Sequence, residues 1–209
     1  TVENTSLATG GRDAESVAQA KRYAPLRFRT QDRLVTLPDF KGFANSFASN
    51  YGSTGKATAV VRRAFSSANI IDVFVLERAS DTQLRRATQE YKRQLLEAIE
   101  PKKMLTDEVV VVDGLIRTLD LSITINADEN FRRNEGLLIQ SARASILKYM
   151  NFDNTEFGES FVPQDLIRVL LKDETNIRYA EVTNVDSPIS VDFNEIIQLN
   201  NLAIKVEYV

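Results

Sequence analysis

The sequence contains no cysteine and no histidine. The first absence rules out a disulfide framework and a thiol nucleophile. The second removes the commonest general base and the commonest metal ligand together. Serine–histidine and cysteine–histidine catalysis and the usual zinc sites are therefore excluded, and an enzyme built on this chain would have to run on carboxylates, lysine or tyrosine. Long apolar runs are missing too: none approaches the roughly 18 residues of a membrane span, and no charged-then-apolar leader stands at the N-terminus. The chain opens on Thr1 and enters its densest motif almost at once, which leads us to expect the C-terminal part of a longer protein.

What is present is ordinary for a globular chain. With 209 residues, 43% hydrophobic and 26% charged, it can bury one large core or two small ones. The net charge of -3 conceals an asymmetry: Thr1 to Lys103 carries seventeen Lys and Arg against eleven Asp and Glu, whereas Met104 to Val209 carries nine against eighteen. Such halves suit either differently solvated faces or a complementary contact between copies or partners, since opposed potentials steer and register assembly.

The stretch Gly10 to Ala44 holds the most local signals. Gly10 and Gly11 break what precedes them, Asp13 is a candidate N-cap with Glu15 in the first turn, and Lys21 and Arg22 sit where the helix dipole favours cations. Pro25 is expected to close that helix. Leu26, Phe28 and Thr30 then alternate with Arg27, Arg29 and Gln31, the period of an extended run. Thr36 and Asp39 read as a capping box with Pro38 in the first turn, opening a helix from Leu37 towards Ser49 with Phe40, Phe43, Ala44 and Phe47 on one face.

Further on, Asn50 to Lys56 reads as a turn-rich connection. Thr58 to Phe65 and Ile70 to Leu76 read as a hairpin. Ser80 is a candidate cap for a helix bearing the stripe Leu84, Ala87, Tyr91, Leu95 and Ala98 and ending before Pro101. Val109 to Val112 predicts a strand covered on both faces. Gly114 marks a seam, after which Leu119, Leu121, Ile123 and Ile125 alternate with polar residues. A helix is expected from about Arg132 to Met150, with Leu138, Ala142, Ile146 and Tyr149 inward, and another from Pro163 to near Leu171. Strands are expected at Arg178 to Thr183 and Ala203 to Val209, with a turn-rich connection between. The class is α+β, with small mixed sheets packed by amphipathic helices in two subdomains, 36–113 and 114–209, preceded by an N-terminal segment 1–35.

Most candidate chemistry fails on its own residues. GSTGK (Gly52 to Lys56) resembles the end of a phosphate loop, but a helix precedes it, a strand follows, and Ala57 stands in place of the magnesium-binding hydroxyl. Asn126, Asp128 and Asn130 start like a calcium loop, yet Phe131 and Leu137 occupy the glycine and glutamate positions; Asp153, Thr155 and Gly158 fail in the same way, with Gln164 at the close. Lys21, Arg22, Arg27, Arg29 and Arg33 form a basic patch around Phe28 that raises nucleic acid as a ligand, although a pI near 5.2 favours protein contact or intradomain pairing. The carboxylate pairs Asp107–Glu108 and Asp173–Glu174 are adjacent in sequence and so point apart. No cofactor and no metal is expected. Gly52, Gly55 and Gly114 are the hinge candidates.

The order DAES, a short helix ending in AP, RTQDR and VTLPDFKGFA resembles the signature of the baseplate J-like proteins, the wedge subunits of contractile phage tails and related injection machines. IIDVFVLE, EVVVVDG and FGESFVPQDL continue the resemblance in family order, over Asp13 to Thr183. The resemblance implies a structural subunit of the virion, assembled in the host cytoplasm, that pairs with a second copy and with other wedge proteins to build a ring around the tail tube. It implies no small-molecule substrate, nucleic acid or membrane as partner. It makes Asp13, Glu15, Pro25, Arg29, Arg33, Thr36 and Asp39 structural motif positions. A homologous injection-system subunit, a carboxylate-dependent enzyme and a nucleic-acid-binding module are the alternatives.

Overall fold

A computed structural model describes residues 17, 20, 21, 24, 25, 28, 31–63, 69–80, 82–174 and 176–208. The chain falls into two compact units, one of Thr1–Ser80 and Leu84–Leu115, the other of Asp81–Gln83 and Ile116–Val209.

The first unit is organised by α1 (Leu37–Ser46), β1 (Gly55–Arg63), β2 (Asn69–Ser80), β3 (Gln83–Arg86), α2 (Gln89–Ile99) and β4 (Asp107–Asp113). β2 is the central strand: it pairs antiparallel with β1, from Gly55↔Glu77 to Arg63↔Asn69, and parallel with β4, from Asn69↔Asp107 to Val75↔Asp113. β3 also pairs with β2. A parallel pair requires a crossover, and α2 lies within the chain that makes it. Because side chains alternate across a strand, Ala57, Ile71, Val73, Val75 and Val109 share one face. They are buried with Phe40 and Ala44 of α1 and Tyr91, Leu95 and Ile99 of α2 in a single core.

The start of α1 is built by Asp39. Its carboxylate accepts the N–H groups of Thr36 (2.8 Å) and Val35 (3.2 Å), and Thr36 takes the extended conformation of an N-cap. Asp39→Ala should therefore cost about 1 kcal/mol, the usual worth of such a cap. Urea unfolding measures it; an unchanged midpoint would mean that the cap carries no weight.

The second unit contains β5 (Leu115–Ala127), a 3₁₀ turn (Glu129–Asn134), α3 (Glu135–Tyr149), α4 (Pro163–Asp173), β6 (Ile177–Val182) and β7 (Glu195–Tyr208). β5 lies between β6 and β7. Its alternating Leu119, Leu121, Ile123 and Ile125 are buried against Leu138, Ala142 and Ile146 of α3 and Leu166 and Leu170 of α4. The fold is α+β with small sheets and amphipathic helices, as the sequence predicts.

Several boundaries differ from the sequence expectation. Val17, Ala20, Lys21, Ala24, Pro25 and Phe28 are all helical, so Pro25 does not close the helix and Phe28 is not in an extended run. Six alternating residues are too few to separate the two periods, Val17, Lys21, Ala24 and Phe28 recur at helical steps, and the fixed φ of proline is itself helical. Ser80 ends a strand instead of capping a helix. Residues 83–86 form β3, and Thr88 caps α2 by accepting the Tyr91 N–H at 3.2 Å. Leu84 and Ala87 are buried without being helical, and the helical stripe runs through Tyr91, Leu95 and Ile99 in place of Ala98. α1 stops at Ser46 and not near Ser49, because Phe47 is extended and Ala48 bridges to Thr54. α3 begins at Glu135 after the 3₁₀ turn. β7 starts at Glu195, well before Ala203, and the adjacent buried residues Ile196 and Ile197 break the alternation that would have revealed it.

Candidate functional site

Asp13, Glu15 and Arg29 lie outside the described residues. Thr36 and Asp39 belong to a clasp around residues 31–40. Gln31 and Asp32 both take left-handed conformations, with φ of 46° and 65°, which turns the chain sharply; aspartate tolerates this region better than most residues. The Asp32 carboxylate pairs with Lys102, the Leu34 N–H donates to the Lys102 carbonyl at 2.9 Å, and the Leu34 side chain is buried. Arg33 and Pro25 are exposed. The clasp thus ties the segment before α1 to the segment after α2, with Thr36 and Asp39 closing it at the helix start.

The glycines singled out as hinges occupy three different settings. Gly52 has φ of 79° in a turn whose N–H groups reach Ser49. Gly55 is a buried residue of β1, and its missing side chain is explained by packing: a Cβ there would stand 2.4 Å from the Leu76 carbonyl oxygen. Gly114 is buried, with its N–H donating to the Val75 carbonyl at 3.0 Å.

Beside Gly55 runs a polar seam that the motif reading missed. Glu77, 2% exposed, accepts from Arg85 at 2.8 Å and from the Thr88 N–H at 3.1 Å. Gln94 is buried and receives the Asn50 N–H at 2.8 Å, while the buried Tyr91 hydroxyl has no hydrogen-bond partner among the described residues. Burial alone would raise the Glu77 carboxyl, but Arg85, the Thr88 N–H and Ser53 outweigh it and hold it below its ordinary 4.5. Burial, with the Glu77 charge, pushes the Tyr91 phenol up. Glu77 is thereby held charged and Tyr91 held neutral, each fixed in one protonation state, which suits structural roles better than proton transfer.

The sign for Glu77 follows from linkage: a depressed folded-state value gives stability that is present above about pH 4.5 and lost as pH falls through the lowered value. Glu77→Gln should cost about 2 kcal/mol at pH 7, the range for hydrogen bonds to a charged group. The difference from wild type should shrink on acidification; urea unfolding at pH 7 and pH 3 reads it, and a pH-independent difference would contradict the account.

In the second unit a cleft of about 320 Å³ opens between the end of α3, the loop after it and α4, floored by Met150, Phe161, Val169 and Ile197. Glu159 and Asp173 both line it, yet each is engaged: Asp173 with Lys148 at 3.5 Å, Glu159 with the Glu156 N–H at 2.8 Å. They do not form a free carboxylate pair. Asp128, the centre of the calcium-like run, accepts the Asn130 N–H at 3.1 Å and pairs with Arg178 at 2.5 Å. Among the described residues no acidic cluster is placed to hold a metal, and no helix is long and apolar enough to cross a membrane.

Compared with known proteins, the chain matches no protein-family model and no curated protein.

Proposed function

We propose that this chain is a structural wedge subunit of a contractile-tail baseplate, or the equivalent subunit of a contractile injection system, which acts by contacts with a second copy and with other wedge proteins. The carrying observation is the use made of the RTQDRLVTLPDFKGFA block. Asp32, Leu34, Thr36, Asp39 and Phe40 spend their side chains and backbone groups inside the first unit, as turn, clasp, cap and core. That is what a structural motif requires. The order of the later motif blocks and the opposite charge of the two halves of the sequence support the same reading. The place of action proposed is the virion baseplate, after assembly in the host cytoplasm.

Light scattering across protein concentration, at low and high salt, tests the self-contact. A dimer or larger species that loosens with salt is expected. A monomer under every condition would remove self-assembly from this chain.

A further inference from the structure

The assembly reading leaves the cleft of the second unit without a task. Its walls come from the last turn of α3, the loop after it and α4, and its floor from Met150, Phe161, Val169 and Ile197. A volume of about 320 Å³ stands at the small end of ligand pockets. At about 30 Å³ for each water-sized group it takes roughly ten non-hydrogen atoms. An apolar floor of that size selects an apolar body.

The polar lining selects the head group, because its acids are engaged and several of its donors are not. Asp173 is paired with Lys148 at 3.5 Å, and Glu159 accepts the Glu156 N–H at 2.8 Å. The Asn154 amide and the Thr155 hydroxyl donate to the Lys148 and Asn151 carbonyls at 3.1 and 3.4 Å. Three donors of the lining keep neither a hydrogen bond nor an ion pair among the described residues: the Tyr149 hydroxyl, the Ser160 hydroxyl and the Lys172 ammonium. Burial, with the charges of Asp165 and Glu159, raises the Tyr149 phenol, so it stays protonated and can donate. Lys172 follows Val169 by three residues on α4, which puts both on one face. Helical side chains lean toward the N-terminus of their helix, here from Lys172 back over Val169. Free donors around an apolar floor call for a ligand that brings acceptors, and the one charged group of the lining with no partner is a cation.

We propose that this cleft binds a small organic carboxylate of roughly ten non-hydrogen atoms, with its apolar body on Met150, Phe161, Val169 and Ile197 and its carboxylate on Lys172 and Tyr149. The site lies within the second unit, so the inference does not rest on the assembly reading.

The two methionines of the chain supply the probe. Met150 is buried in the floor of the cleft, whereas Met104 belongs to the first unit and is 44% exposed. Octanoate is titrated into the full chain carrying methyl-labelled methionine, with the two NMR signals assigned by Met104→Leu. The expected result is a saturable shift of the Met150 signal alone, with a dissociation constant below about 1 mM, within reach of a ligand this small. Octanol, of the same length but uncharged, should bind at least about tenfold more weakly. Lys172→Met, an exposed position checked by an unchanged thermal melt, should weaken octanoate by at least about tenfold and leave octanol as it was. A Met150 signal unmoved by millimolar octanoate overturns the proposal, and so does a Met104 signal that moves in parallel, which would mean adsorption to any apolar surface. Equal affinity for octanol overturns the choice of a carboxylate. Undiminished octanoate binding to Lys172→Met returns Lys172 to the ordinary role of a cation at a helix C-terminus and overturns the site as described. None of these outcomes bears on the oligomeric state by which the assembly reading is tested.

Discussion

Gly55→Ala should destabilise the protein by about 3 kcal/mol or more, at the upper end of what overpacking costs. The added methyl would lie 2.4 Å from the Leu76 carbonyl oxygen and 2.8 Å from the Tyr91 hydroxyl, and neither neighbour has room to retreat. Leu76 belongs to β2, held between β1 and β4. Tyr91 is 1% exposed and meets Phe47 edge-to-face, with ring centroids 5.5 Å apart. The strand must shift or the aromatic pair must separate. Guanidinium unfolding measures the loss, and a cost below about 1 kcal/mol would show that β1 slides freely over α2.

Asn45→Ala should cost a comparable amount, about 2–4 kcal/mol, for a different reason. Ala57 is fully buried, and both of its outward backbone groups depend on the Asn45 amide; a buried group left unpaired costs about 1–3 kcal/mol. Asn45→Asp separates this from simple packing. It keeps the volume and the acceptor for the Ala57 N–H but sets a carboxylate against the Ala57 carbonyl, so it should be at least as damaging as alanine. If aspartate proved neutral, the amide would not be the strand substitute described here.

Where one physical signal acted alone, the sequence revealed the structure. The strict alternation in LDLSITIN gave the inward face of β5, and the T-x-x-D spacing with Pro38 gave the start of α1. Where two signals competed, the reading failed. Leu84 and Ala87 lie at helical spacing from Tyr91, yet they are buried from β3 and the segment after it, because both periods place an apolar residue at those positions. The polar seam was legible in part: Glu77 continues the odd-numbered phase of Ile71, Val73 and Val75, so a charged residue on the core side of β2 could have been noticed from IIDVFVLE alone. Its partners could not, since Arg85 and Thr88 reach it through the folded connection between β2 and α2. Asn45 was hidden altogether. On its helix it is one more polar residue, and its role exists only because α1 lies along the outer edge of β1.

The role proposed for this chain is that of a baseplate subunit in a contractile tail or injection machine. Immunogold electron microscopy tests it most directly, with antibodies to the purified chain applied to intact contractile particles from cells carrying its gene. The account predicts label confined to the baseplate end of the tail. Label along the sheath or on the capsid, or particles free of label while the chain stays in the soluble fraction, would contradict it.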